Sequence, residues 1–141
     1  MTDALGHVTQ YVSYDKDGRP TETIDPNGVV TTLAGAPGAA GSVDGVGSAA
    51  RFNQPNYVAV DANDNVFVTD SNNYTIRKVS ASGLVTTLGG TVGIHGSADG
   101  TGSTAQFSYV RGIAVDATGN LYVADPGNNA VRLGSAMPVI T

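Results

Sequence analysis

The chain of 141 residues has no cysteine and no tryptophan, and only 13% of its residues are charged. Without cysteine there is no disulfide framework, no thiolate metal site and no cysteine nucleophile. The net charge of −5 argues against nucleic acid as a partner, because a nucleic-acid interface is ordinarily basic. No apolar run approaches the roughly 18 residues of a membrane-spanning helix, so membrane insertion is not expected.

Glycine and valine are abundant by contrast, with 19 glycines and 18 valines against six leucines. Valine favours strands, and glycine favours turns that need unusual backbone angles. The composition therefore excludes a helix bundle and a coiled coil, and it predicts an all-β chain rich in loops.

An internal duplication organises most of the sequence. Residues 28–78 align with residues 83–133 without a gap, and 24 of the 51 aligned pairs are identical. A fixed offset of this size is the signature of a repeat architecture. The repeat units are about 28–82 and 83–141.

Each unit is predicted to contain four short strands joined by turns rich in Asp, Asn, Ser and Gly. A four-stranded antiparallel unit repeated in tandem is typical of the blades of a β-propeller. The second unit is predicted to be truncated within its fourth strand. The predicted strands are 57–60, 65–69, 75–79 and 84–88, then 111–115, 121–124, 130–133 and 139–141.

The central part of each unit resembles the NHL repeat of β-propellers, in the long-loop version found in bacteria. The residues that carry this resemblance are Ala59-Val60-Asp61, Asn65 to Asp70, Asn73 and Ile76-Arg77, with their counterparts 55 positions later. The resemblance implies propeller blades over 28–141. Tyr74 and Asn129 depart from the family, which often has His there.

Residues 1–27 are similar instead to the YD or RHS repeat, through Gly6, Tyr14-Asp15 and Gly18-Arg19. That resemblance implies a β-hairpin appendage to the propeller segment. Such repeats wind into shells around secreted toxins or adhesion proteins, so it also implies an extracellular or surface location.

Two blades are fewer than a propeller needs, because propellers usually have four to eight. Either the ring is completed by other copies, with three copies giving six blades, or the chain is a piece of a longer protein. Segment 28–33 belongs to the outer edge of a preceding blade in this interpretation. It could also complete the final blade, in its own chain or in a neighbouring one.

The strand directions predict that one face carries both long connections, 34–56 and 89–110, together with the turns 70–74 and 125–129. We expect recognition on this long-loop face by residues that differ between the repeats. These candidates are Asn53, Gln54, Asn56, Tyr74, His95, Tyr109 and Arg111.

Other recurring residues are expected to be structural. Asp70 with Arg77, and Asp125 with Arg132, could bond across the hairpin or cap its turn. Phe52 and Phe107 are expected to hold the long loops to the blades. The oxygen side chains of 61–65 and of 15–18 resemble metal loops only loosely. The equivalent turn at Asp116 lacks the central ligands, so turn formation explains these residues better.

No catalytic constellation, metal site or cofactor is expected. The two histidines, His7 and His95, lie in unrelated segments, and no nucleophile elbow precedes a helix. The sequence therefore favours a non-catalytic module that binds a protein or a glycan. Two alternatives are a metal-dependent hydrolase or lyase whose site needs the full ring, and a structural spacer beside a YD-repeat shell.

Overall fold

The computed structural model describes residues 11–14, 20–24 and 28–135, which form strands in three antiparallel sheets. Helical structure among these residues is limited to four three-residue 3-10 turns, and none of their helices is long and apolar enough to cross a membrane. The strands are β1 (Tyr11–Tyr14), β2 (Pro20–Ile24), β3 (Val30–Thr31), β4 (Gly45–Val46), β5 (Pro55–Val60), β6 (Val66–Asp70), β7 (Thr75–Val79), β8 (Leu84–Gly89), β9 (Ile113–Val115), β10 (Asn120–Asp125) and β11 (Ala130–Ser135).

The first repeat unit forms a complete blade. Its four predicted strands are confirmed as β5, β6, β7 and β8, each paired antiparallel with its neighbour in sequence. A fifth strand, β4, lies outside β8, with Gly45 opposite Val85 and Val46 opposite Leu84. This strand was not predicted, because two residues within a glycine-rich loop carry no alternating pattern.

The second unit forms three blade strands in the order β11-β10-β9, as its sequence predicts. The predicted fourth strand at 139–141 lies outside the described residues. The chain is therefore all-β, built from antiparallel propeller blades.

Segment 28–33 contributes β3, which pairs antiparallel with β2, Thr31 opposite Thr23 and Val30 opposite Ile24. It thus shares a sheet with the hairpin of the N-terminal segment. The suggestion that it completes the final blade of its own chain is not what the structure shows. The division of the chain at residue 27 remains a prediction.

The two blades stack face to face through an apolar core. Phe67 and Ile76 of the first blade meet Val110, Leu121 and Val123 of the second. Every residue of β6 is buried, because one face of this strand points to the second blade and the other to a separate cluster within the first. Burying a side chain such as Phe67 contributes about 1.5–3 kcal/mol.

Within the described residues, the outer flank of the second blade is exposed. Val131 and Leu133 of β11 are 77% and 68% exposed, whereas Ile76, which corresponds to Val131 in the first blade, is 3% exposed. Blades in a repeat stack bury such flanks against their neighbours, so this difference marks the edge of the described stack.

Candidate functional site

A buried ion pair links the two strands of the hairpin in each blade, and the same side chains also bond the long loop before it. The carboxylate of Asp70 lies 2.9 Å from Nη1 of Arg77, and both side chains are essentially inaccessible. Asp70 also accepts hydrogen bonds from the backbone N–H of Asn53 and the side-chain amide of Asn73. Burial raises the pKa of Asp70, against the lowering effect of these three donors.

The guanidinium of Arg77 also reaches into the long loop. Its Nη2 lies 2.7 Å from Oδ1 of Asp44 and donates to the backbone oxygen of Val43. The same group sits 4.9 Å from the centroid of the Phe52 ring, which is a cation–π contact. Arg77 therefore fastens loop 34–56 to its blade.

The second blade repeats this arrangement. Arg132 pairs with Asp125 and Asp99, each at 2.9 Å, and lies 5.0 Å from the centroid of Phe107. Asn128 donates to Asp125, as Asn73 does to Asp70. These recurring contacts attach both long loops to their blades in the same way.

Three of the predicted recognition residues meet at the seam between the blades. The ring of Tyr74, from the hairpin of the first blade, lies 5.4 Å from His95 and 5.3 Å from Tyr109, measured between centroids. The two tyrosines pack edge to face, and His95 and Tyr109 are exposed to solvent. We call these three residues the aromatic cluster.

Unusual backbone angles hold the two tyrosines in place. Tyr74 and Tyr109 have φ values of 58° and 57°, in the left-handed region that aromatic residues rarely adopt. Their counterparts in the other repeat, Asn129 and Gln54, keep this geometry at 52° and 56°. Both repeats therefore share the left-handed backbone at these positions, whereas the aromatic side chains occur only at this seam.

A hydrogen bond with Tyr109 raises the pKa of Tyr74 above its ordinary value. The Tyr74 phenol therefore keeps its proton at neutral pH.

The remaining predicted recognition residues lie just before or within the first strand of each blade, and they differ in exposure. Gln54 and Arg111 are exposed, whereas Asn53 and Asn56 are partly buried. The side-chain amide of Asn56 donates to the hydroxyl of Ser71 at 2.8 Å, so this residue makes a structural contact within the first blade.

Two side chains that the sequence did not single out connect the blades beneath the cluster. The hydroxyl of Ser71 donates to the backbone oxygen of Val110, and that of Thr69 donates to the oxygen of Arg111 at 2.7 Å. Both bonds fix the segment that carries Tyr109. Pro126 and Ala124 replace Ser71 and Thr69 in the second repeat, so the repeat pattern gave no signal for them.

The carboxylates of Asp61 and Asp116 close turns, as the sequence predicts. Asp61 accepts hydrogen bonds from the backbone of Asn63 and Asn65, and Asp116 from Thr118 and Asn120. For Asp61, burial works against these bonds, but together they lower its pKa. The Asn120 side chain lowers the pKa of Asp116 most strongly. Among the described residues, no group of three or more His, Cys, Asp or Glu residues could hold a metal ion.

The sheets, the stacked blades and the shared loop geometry define a β-propeller segment. In sequence, the NHL repeat matches residues 52–79 and 107–132, and the RHS repeat matches residues 1–31. The chain thus carries two NHL repeats, one in each blade, preceded by an RHS repeat.

The chain is also similar to several longer proteins. It is 37% identical over 93 residues to Protein SUPPRESSOR OF QUENCHING 1, chloroplastic, from Arabidopsis thaliana, a match that covers 65% of this chain and 9% of that protein. A structural genomics protein of unknown function from Bacteroides thetaiotaomicron aligns with a TM-score of 0.77 and 28% identity, over 88% of this chain and 32% of that one.

An auxiliary nutrient binding protein from the same organism aligns with a TM-score of 0.66 and 25% identity, over 90% of this chain and 32% of that one. The chain therefore spans about a third of the length of these solved structures and less than a tenth of the plant protein.

Proposed function

We propose that this chain is a non-catalytic binding module whose long-loop face recognises a glycan through the aromatic cluster. The observation that carries the proposal is the meeting of Tyr74, His95 and Tyr109 at one exposed seam. The repeat fold does not require these three rings, because the other repeat has Asn129, Ala40 and Gln54 at the equivalent positions.

The chemistry of the cluster favours a glycan over a protein, the other partner class that the sequence leaves open. A sugar ring offers an apolar C–H face and a rim of hydroxyls, which suit an aromatic face beside polar groups. Phenol hydroxyls, the His95 imidazole and the Arg111 guanidinium supply donors and acceptors around the rings. The auxiliary nutrient binding protein that shares this fold adds support.

The backbone favours a preformed site. Left-handed backbone at a bulky residue is costly and persists only where surrounding contacts enforce it. Here the Ser71 and Thr69 hydrogen bonds fix the segment that carries Tyr109 before any ligand arrives. A rigid aromatic surface binds with little loss of side-chain entropy.

A triple variant tests the proposal without disturbing the fold. Tyr74→Asn, His95→Ala and Tyr109→Gln exchange each aromatic residue for its counterpart in the other repeat, where Asn and Gln already adopt the same left-handed backbone. We expect the parent chain to bind at least one class of oligosaccharide on a glycan array and the triple variant to lose it. Both proteins should melt at similar temperatures.

Tyrosine fluorescence gives the affinity, because no tryptophan masks it. Loss of one large aromatic contact from a binding site typically weakens affinity by about ten- to thirtyfold, so Tyr109→Ala should show a loss of this size. Tyr122→Ala, a change on the outer flank of the second blade, serves as the matched control and should bind normally. Equal binding by the parent chain and Tyr109→Ala would reject the glycan site.

A further inference from the structure

A groove runs along the outer edge of the second blade, at the position that β8 occupies in the first. It has a volume of about 710 Å³ and is lined on one side by β11 and on the other by residues 99–102. In the first blade, β8 lies between β7 and β4, and these two strands correspond to β11 and to residues 100–101. The groove therefore has the dimensions and the borders of a single strand site.

The contacts of β8 show what such a strand must supply. Val85 is fully buried. The hydroxyl of Thr87 donates to Asp44 at 2.9 Å, and its backbone N–H donates to the same carboxylate at 3.2 Å. In the second blade Asp99 takes the place of Asp44, and its side chain is 95% exposed against 47% for Asp44. The Asp99 carboxylate is therefore an accessible acceptor for a threonine equivalent to Thr87 on a strand in the groove.

The residues that directly follow β11 do not match the first blade in one respect. The turn from β7 to β8 ends at Gly83, which has a φ of 91° and donates its N–H to Ser80. The corresponding residue is Pro138. Proline has no N–H to donate and favours φ near −65°, so the sequence departs here from the glycine that ends the turn of the first blade.

One other segment of the chain closely matches β8 and the glycine before it in sequence. Gly28-Val29-Val30-Thr31-Thr32-Leu33 matches Gly83-Leu84-Val85-Thr86-Thr87-Leu88 at five of six positions, including the buried valine and the threonine that bonds the carboxylate. In its own chain Val30 and Thr31 of this segment pair with Ile24 and Thr23 of β2. Leu33 and Ala34 then pack against the first blade, so the segment leads away from the groove of its own chain.

We propose that the groove accepts segment 28–33 of a second copy of this chain. Insertion exchanges the pairing with β2 for pairing with β11 on one edge and with residues 100–101 on the other. The contact is strand addition, in which backbone hydrogen bonds give affinity and alternate side chains give specificity. It joins different surfaces of the two copies, so it generates a ring or a filament. Three copies give the six blades expected from the sequence.

Engineered cysteines test the proposal in a chain that has none of its own. The register of the first blade, Val46 opposite Leu84, places Thr101 opposite Val29 of the inserted strand. Directly opposed strand residues have Cα separations of about 4.5–5.5 Å, which a disulfide spans. The full chain carrying Thr101→Cys and Val29→Cys should therefore form covalent dimers and larger species under mild oxidation, and a reductant should reverse them.

Two matched variants give the controls. Thr101→Cys with Val30→Cys lies one residue out of register and should cross-link poorly. Thr101→Cys with Val139→Cys tests the segment that follows β11 as the occupant and should give no disulfide. A disulfide within one chain from either the Val29 or the Val139 pair would overturn the proposal.

Light scattering on the unmodified chain gives an independent test. We expect a mass above that of the monomer, and Thr32→Val should weaken association on the order of tenfold, since it removes one hydrogen bond to a carboxylate. A folded chain that stays monomeric at high concentration would contradict the proposal. The Tyr109→Ala variant leaves this interface unchanged, so failure of the glycan site and failure of strand exchange are distinguishable.

Discussion

At the scale of single residues, two fully buried threonines of the first blade differ only in their partners. Thr69 donates to the backbone oxygen of Arg111 and accepts from Tyr57, whereas the hydroxyl of Thr75 has no hydrogen-bond partner in the described part of the chain. An unpaired buried hydroxyl is costly, and its removal is neutral or favourable.

We therefore expect Thr75→Val to leave stability unchanged or raise it by about 1 kcal/mol, and Thr69→Val to lower it by about 1–3 kcal/mol. Urea denaturation of both variants measures the two changes. A loss of stability in Thr75→Val as large as that in Thr69→Val would show that its hydroxyl is satisfied.

The two carboxylates on Arg77 give a second comparison at this scale. Removing Asp70 takes away the buried counter-charge of the Arg77 guanidinium and leaves only the half-exposed Asp44, and loss of one partner of a buried pair typically costs about 3–5 kcal/mol. Asp44 is half exposed, so its removal should cost about 1 kcal/mol. Thermal and urea unfolding of Asp70→Ala and Asp44→Ala should show this order, and equal losses would contradict the distinction.

At the scale of elements, the turns closed by Asp61 and Asp116 make stability depend on pH. Both carboxylates have a lowered pKa in the folded chain, so their contribution is present above the ordinary value of 3.8 and is lost as the pH falls below it. Asp70 has a raised pKa and acts in the opposite direction.

Comparison of the parent chain with Asp61→Asn and Asp116→Asn isolates the two turns, because Asp70 is common to all. Asparagine keeps the turn-closing acceptor but does not titrate here. The variants should lose less stability than the parent chain between pH 5 and pH 2, as measured by urea unfolding at each pH. Parallel curves would rule out this contribution.

The sequence predicted the strands better than it predicted the contacts between strands and between side chains. The repeat offset and the alternating valines located seven blade strands, and the spacing of Asp70 and Arg77 suggested their pairing. Strand β4 and the pairing of β3 with β2 were missed, because two-residue ladders depend on tertiary contacts. Tyr74, His95 and Tyr109 were predicted singly, but nothing in their spacing shows that His95 and Tyr109, 21 and 35 residues after Tyr74, come within 6 Å of its ring.

At the scale of the whole molecule, two stacked blades share one core, and within the described residues they leave two features exposed: the flank beyond β11 and the groove beside it. The seam on the long-loop face lies elsewhere and is fixed by hydrogen bonds from Ser71 and Thr69. Assembly and recognition are therefore assigned to different parts of the chain, and each has variants that leave the other intact.

The most direct test of the account is a glycan array probed in parallel with the parent chain and the Tyr74→Asn, His95→Ala, Tyr109→Gln variant. The account predicts that the parent chain binds a defined class of oligosaccharide and that the variant, folded to the same melting temperature, does not. Identical binding profiles, or no glycan binding by a folded parent chain that instead captures a peptide ligand, would contradict it.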